Sequence, residues 1–443
     1  MQRREFLRLS AAAAALSATP DAPVAFGASN DEPGIERFPP FDADLQDALQ
    51  RAPDDDAFWA LIRREYTPPA EYVDLDQANT APTPRRVFDA FIARARRLSH
   101  APAARFGEMW EKELDAVTRP ALARYLGAAP EHLAFTANAT SALNTVLHGF
   151  PLERGDEVLV TDHEYPDMIE TLRLRARRDG IVLRVVRVSN ASEDPLALVS
   201  RIAEAIGPRT RLMLISHISA WSGVILPVAR ATAAARARGV AVVVDAAQSV
   251  GILDVGFDAI GCDFLGASLH KGLAAPMPTG VLLMRPEHAG KVSPLHPPSW
   301  DTSKHPMDLY EWSGTFNMAA LSTIKEALDF QRVLGAERKR TRLRQLGAYW
   351  QDALRGVSGV RMLTPREGDR SCGPAAFAIE GVESGPLAKS LRERRRVSVQ
   401  DKAGPHSPFT NAIRVSPGAH TTFRELDRLV VAVRDIARAG RLP

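Results

Sequence analysis

The sequence predicts an α/β protein: a mostly parallel sheet covered by helices on both faces, followed by a smaller C-terminal α+β domain. Three observations carry this. Seven short apolar runs occur in order: HLAFT (132–136), EVLVT (157–161), IVLRVVRV (181–188), RLMLISHIS (211–219), VAVVVDAAQ (240–248), DFLGAS (263–268) and GVLLM (280–284). Amphipathic stretches separate most of them, the alternation that produces parallel strands joined by crossover helices. After Asn317 the pattern changes to one long helical stretch and then short strands mixed with helices.

In chain order, residues 1–30 read as an export signal. Arg3 and Arg4 precede Phe6-Leu7, a short Ala/Leu stretch and a Pro-containing exit, which resembles a twin-arginine signal. The apolar stretch is about half of what a bilayer-spanning helix needs, so no stable membrane anchor is expected. Export by the twin-arginine machinery to the periplasm or beyond is the expected localisation. Residues 31–75 form an N-terminal arm and helix; the part from about Asn30 to Asp54 is rich in Pro, Asp and Ala and reads as extended, with helix beginning near Phe58. Residues 76–318 form the large domain. Residues 319–443 comprise the connecting helix, which runs from Ala319 to Gly356, and the small domain, with strands at FAIEG, VSVQ and AIRVS and helices through LAKSLRERR and FRELDRLVVAVRDIARAG.

Composition excludes some functions. The 56 Lys+Arg against 53 Asp+Glu leave no basic field for nucleic acid. The two cysteines, Cys262 and Cys372, have neither a disulfide framework nor metal-ligand spacing, and both read as core residues. No metal is expected.

Ligands of an open parallel sheet bind beyond the carboxyl ends of its strands. There, VAVVV ends in Asp245-Ala246-Ala247-Gln248, a carboxylate at the edge of a sheet buried on both faces, which is costly without a cationic partner. DFLGA ends in Ser268-Leu269-His270-Lys271. HLAFT runs into Asn138-Ala139-Thr140-Ser141, where exposed amides and a helix dipole form an anion site. EVLVT is followed by Tyr165, an aromatic ring able to stack on a flat heterocycle. An imine-forming lysine, a carboxylate for a ring nitrogen, an amide pocket for phosphate and a stacking ring are together what a pyridine aldehyde phosphate needs.

At these residues the chain resembles the class V aminotransferase family of fold-type I pyridoxal-phosphate enzymes, within its isopenicillin-N-epimerase-like and cysteine-desulfurase-like branch. The resemblance covers about Glu71 to the C-terminus and includes DAAQ, the S-x-H-K end, T-x-N-A-T-S-A-L-N and E-W-S-G-T at Glu311 to Thr315. It implies a seven-stranded sheet, pyridoxal 5′-phosphate as cofactor, Lys271 as its Schiff-base lysine, Asp245 on the pyridinium nitrogen and Gln248 on the ring oxygen. It further implies Tyr165 stacked on the ring, Ala139, Thr140, Ser268 and His270 at the phosphate, and Gly314-Thr315 reaching the phosphate of a neighbouring subunit in a homodimer. Arg414 falls where the family binds a substrate α-carboxylate, so an amino acid or amine is the expected substrate.

Two departures narrow the chemistry. The stretch 398–408, where desulfurases carry a nucleophilic cysteine, has none, and Ser219-Ala220 stands where many relatives have Asn or Ser near the cofactor oxygen, so that contact is weakened or moved to Ser219. Asp401, Lys402 and His406 of that stretch offer an acid or base, but read first as a solvated loop. Epimerisation or lyase cleavage at the β-carbon ranks above transamination, and a catalytically idle binding protein that keeps the fold, with or without the cofactor, is the rival from another class. No second base is identified by sequence.

Overall fold

The structure, a computed structural model, describes residues 43–52, 54–188, 194–303, 305–365 and 369–442. The proposed export signal lies outside them. The described chain opens with two helices, α1 (Ala43–Gln50) and α2 (Asp55–Arg64), so part of the stretch read as extended is helical. The Asp54 side chain caps α2 by accepting from the Ala57 amide at 2.8 Å. Leu45, Leu49, Phe58, Trp59 and Ile62 are buried in the large-domain core.

A two-residue strand, β1 (Val73–Asp74), precedes the long helix α3 (Arg85–His100). The large sheet follows: β2 (Leu133–Thr136), β3 (Glu157–Thr161), β4 (Val182–Val186), β5 (Thr210–Ser216), β6 (Ala241–Asp245), β7 (Phe264–Ser268) and β8 (Gly280–Met284). The spatial order is β2-β8-β7-β6-β5-β3-β4, with β8 antiparallel to both neighbours and the other pairings parallel. All seven predicted runs thus become strands of one sheet. The helices α4 (Ala139–Gly149), α5 (Pro166–Asp179), α6 (Pro195–Ala205) and α7 (Val228–Arg236) connect them. Two apolar clusters account for the continuous hydrophobic runs, one holding Val242 and Val244, the other Val243 of the same strand. The edge strand β4 instead leaves Val182 and Val185 about half exposed.

The single long helix expected after Asn317 is interrupted. Gly335, at φ +74°, separates α8 (Ile324–Leu334) from α9 (Ala336–Leu354), because only glycine adopts that conformation without strain. The small domain then sets β9 (Val360–Met362), β10 (Ala375–Ile379), β12 (Gln400–Asp401) and β13 (Ile413–Val415) in an antiparallel sheet of order β12-β13-β10-β9. Between these strands lie α10 (Ser384–Arg395) and β11 (Val397–Ser398); α11 (Phe423–Ala439) closes the chain with a capping box between Thr422 and Glu425. β1 pairs in parallel with β11, and Val73 and Leu75 are buried in the small-domain core, so the segment entering the large domain is first tied to the other one. That tie brings residues 74–79 beside Arg414. Among the described residues, no helix is long and apolar enough to cross a membrane.

Candidate active site

A cavity opens at the carboxyl ends of the parallel strands. Eight of the expected site residues line it: Ala139 and Thr140 from the start of α4, Tyr165 from the cap of α5, Asp245 and Gln248 from the end of β6, Ser268 at the end of β7, and His270 and Lys271 just beyond it. Residues far apart in sequence meet because the neighbouring parallel strands β6 and β7 end on one side, Asp245 paired with Gly266, and the antiparallel β8 begins there, Gly280 paired with Ser268.

Asp245 and Lys271 are not a simple ion pair. The Asp245 carboxylate accepts from the Ala247 amide at 2.9 Å, and Lys271 acts on it only through its charge. Burial raises the Asp245 pKa, the Ala247 amide and the Lys271 charge opposing it; burial lowers that of Lys271, Asp245 opposing. A carboxylate and an amine, both held out of water and apart, leave room between them for a group that uses both.

At the other end, the Asn138 side chain caps α4 by accepting from Ser141 at 2.8 Å, and the Asn138 carbonyl accepts from Ala142. The Ala139 amide donates to the Ser268 hydroxyl at 2.9 Å. The Ala139 amide is thus occupied, and the Ser268 hydroxyl keeps its own proton to donate. Among the described residues the Thr140 amide meets no acceptor, and it points from the positive end of an eleven-residue helix. The cradle is tight: a Cβ on Gly280 would lie 2.5 to 2.7 Å from the Asn138 backbone. His270 uses Nδ1 on the Thr279 backbone, which leaves Nε2 as its free nitrogen. Gln248 donates to the Ala78 carbonyl at 2.8 Å and retains a second N–H.

Two expected contacts, those of Ser219 and Arg414, are arranged differently. Ser219 is fully buried with its hydroxyl on His163 Nδ1 at 2.9 Å, and it is Ala220 that lines the cavity, so the ring-oxygen contact does not move to Ser219. Thr315 is exposed, away from the cavity of its own chain. Arg414 is 1% exposed and sits behind the wall, its guanidinium donating to Asp76 Oδ1 and to the Ala220 carbonyl, each at 2.9 Å.

Several contributors escaped sequence reasoning. Asn79 lines the cavity, as does Ile218, a β-branched residue at φ +62°, the strained backbone found at functional sites. Glu164, 1% exposed, accepts from Thr161 and Ser216 hydroxyls at 2.5 and 2.6 Å; burial, aided by Asp245, pushes its pKa up to about 7. Its neighbour Tyr165 stood out instead, although an acid beside an aromatic strand end was a readable signal. Lys402, on a stretch read as solvated, is largely buried with its ammonium 5.6 Å from the Trp221 ring, and burial pushes it down to about 7.

The residues present fit pyridoxal 5′-phosphate: a free helix-terminal amide, a hydroxyl and an imidazole at one end, a buried carboxylate and an amine at the other, and a tyrosine ring beside them. Comparison with known proteins agrees. The chain is 33% identical over 404 residues to the isopenicillin N epimerase of Amycolatopsis lactamdurans, covering 86% of this chain and 99% of that one. It is 28% identical to a probable cysteine desulfurase of Xylella fastidiosa, covering 86% and 94%. The fold superposes on the apo cysteine desulfurase of Thermococcus onnurineus with a TM-score of 0.75 at 22% identity, covering 88% and 99%. It likewise superposes, at 0.74 and 23% identity over 84% and 99%, on a cystine lyase variant holding glycine on its pyridoxal-phosphate cofactor. Residues 73–429 match the aminotransferase class-V family, and with the cavity residues in place the chain belongs to that family of pyridoxal-phosphate enzymes.

Proposed function

We propose that the chain epimerises an amino acid or amine at its α-carbon. The observation that carries this reading is a second, partly buried amine. Lys402, from the small domain, lies close enough to Lys271 of the large domain to feel its charge, and both feel Asp76 and Arg414. Inversion needs a proton removed on one face and returned on the other, and two amines on separate domains with burial-lowered basicity suit it. Likeness to epimerases over nearly their whole length supports the same reading. The lack of a cysteine in 398–408 weighs against a persulfide-forming nucleophile, and Cys262 and Cys372 are buried with thiols pushed up, Cys372 to about 11.

When bound, pyridoxal 5′-phosphate supplies the electron sink that acidifies the substrate α-proton. Thr140, Ser268 and His270 would hold its phosphate, Asp245 would keep its ring nitrogen protonated, and Tyr165 would fix its plane. Lys271 would anchor it and, once released, carry a proton at Nζ. Arg414 would draw the substrate carboxylate in competition with Asp76. Thr315, exposed beside Gly314, would serve a partner's site in a homodimer. Arg3-Arg4 would direct export through the twin-arginine machinery, folded and loaded.

The test is incubation of the loaded protein with single enantiomers of an amino-acid panel in deuterated water. Chiral separation of the products then reads the outcome. Inversion with deuterium uptake supports the reading, and Lys402→Gln should keep α-exchange from one enantiomer while losing inversion. Release of a β-substituent with keto acid would replace it by lyase chemistry, and keto acid formed only with an amino acceptor by transamination.

A further inference from the structure

Behind Asp245 the strand ends continue to a second acid. In the large sheet β6, β5 and β3 are neighbours in that order. Asp245 is the last residue of β6, Ser216 the last of β5, and Glu164 follows β3 by three positions. Ser216 is paired with Asp245 in the register, lines the cavity and donates its hydroxyl to Glu164 Oε2 at 2.6 Å. One hydroxyl thus lies beside the acid expected at the cofactor's ring nitrogen and bonds the acid one strand further back.

Glu164 is an acid without a cation. Its other oxygen accepts from the Thr161 hydroxyl at 2.5 Å, and among the described residues no lysine, arginine or histidine pairs with it. A buried carboxylate held by two hydroxyls alone is expensive to ionise. The charge that weighs on it is that of Asp245, which makes a second negative charge costlier still. The surrounding groups do not offset this. His163, beside it in the chain, and His217, beside Ser216, are held neutral by burial, each pushed down to about 4, and Tyr165 is kept protonated by burial. Lys271 acts on Asp245, and Lys402 lies over the Trp221 ring, whose Nε1 donates to the Glu164 backbone carbonyl. The state of Glu164 also sets the Ser216 hydroxyl. A protonated Glu164 can donate to Ser216 Oγ and leave that hydroxyl's own proton for the cavity, whereas an ionised Glu164 holds it on Oε2.

We infer that Glu164 is a positioning residue of the cofactor site, one that stores a proton while the site is empty and releases it when a positively charged ring nitrogen comes to lie against Asp245. In the empty site the two carboxyls repel each other's charge, and Glu164, which has no cation, is the one that stays protonated. A cationic ring neutralises Asp245 and so removes the repulsion. The O–H bond of Glu164 then breaks, its proton passes to the buffer, and the Ser216 hydroxyl turns onto the new carboxylate. The second negative charge holds the ring nitrogen protonated to higher pH than Asp245 alone would. The inference rests on the cofactor reading of the cavity and not on which reaction follows.

The experiment counts protons during loading. Full-length apo-protein, as wild type, Glu164→Gln and Glu164→Asp, is titrated with pyridoxal 5′-phosphate by calorimetry from pH 5 to 9, in pairs of buffers that differ in protonation heat and lack primary amines. Lys271 and the cofactor's own groups exchange protons in all three chains, so the difference from Glu164→Gln isolates Glu164. Near pH 6 the wild type should release up to about one proton more than Glu164→Gln, and the difference should vanish by pH 9, where Glu164 is ionised in the empty site too. A group that loses its proton on binding makes binding tighter as pH rises. Wild-type affinity relative to Glu164→Gln should therefore rise about tenfold or more between pH 5 and 8. Glu164→Asp, which keeps an ionisable group, should restore part of the release, whereas loss of a merely structural residue would weaken binding alike at every pH. The infrared carbonyl band of a protonated carboxyl supplies a readout that needs no variant: present in the apo wild type at pH 6, it should be lost on loading. Equal proton release by wild type and Glu164→Gln at pH 6, or a carboxyl band unmoved by loading, would overturn the inference and leave the cofactor reading standing. A wild type that takes up no cofactor would overturn both.

Discussion

Replacing Gly280 by alanine tests whether the α4 cradle holds the cofactor. Gly280 has no left-handed φ, so alanine strains nothing in its own backbone; the difficulty is its new Cβ, 2.5 to 2.7 Å from the N, Cα and C atoms of Asn138. Ordinary contact requires about 1 Å more, and the atoms in the way are backbone, not the end of a flexible side chain. Overpacking of this kind costs about 1–3 kcal/mol of stability. The larger consequence is local: Asn138 carries the cap of α4, and moving it would turn the Thr140 amide, and through the Ala139 amide the Ser268 hydroxyl, away from the phosphate they would hold. Each charge-assisted hydrogen bond lost is worth about 1.5–3 kcal/mol, so cofactor affinity should fall roughly 10- to 150-fold. The assay is titration of the apo-protein with pyridoxal 5′-phosphate, followed by absorbance and by quenching of tryptophan fluorescence. Gly290→Ala is the control: at φ +81° with nothing within 4 Å, it should cost about 1–2 kcal/mol of stability and leave affinity alone. Unchanged affinity in Gly280→Ala, with the stability loss present, would refute the phosphate reading of that cradle.

Two further outcomes are expected. Glu311, of the E-W-S-G-T segment, binds Arg119 through both oxygens at 3.0 Å and accepts from the Phe135 amide, its side chain only 2% exposed; Glu311→Ala should destabilise the chain by about 3–5 kcal/mol in denaturant unfolding, and a loss below about 1 kcal/mol would contradict a structural role. Glu164, held protonated in the fold to about pH 7 but ionising near its ordinary value when unfolded, binds more protons folded than unfolded between about pH 4.5 and 7, so stability it contributes below that window is lost as pH rises through it. Glu164→Gln should remove up to roughly 3 kcal/mol of that decline, and parallel stability–pH curves for wild type and variant would argue against it.

The arrangement of the large domain was legible in the sequence because continuous hydrophobic runs of strand length suit a sheet covered on both faces, and because a buried Asp245 and a Lys271 at strand ends demand a partner. Local pattern also exposed the α4 turn, through Asn138 and the small residues after it. Gly335 could have shown the break between α8 and α9, but a helical period on both sides masked it.

What the sequence determined by itself was the order of the strands along the chain, the chemistry available at their ends and the kind of cofactor those ends could hold. Only the tertiary structure decided which side chains remained free to act. The Ala139 amide is taken by Ser268, Ser219 by His163, and Arg414 by Asp76 across 338 positions, and none of these pairings follows from spacing. The same holds for Lys339 and Lys402. Their lowered basicity comes from burial between domains, which depends on how β1 is tied to β11 and α9 lies against the Lys271 loop, and a one-dimensional pattern of charge and hydropathy carries no record of either.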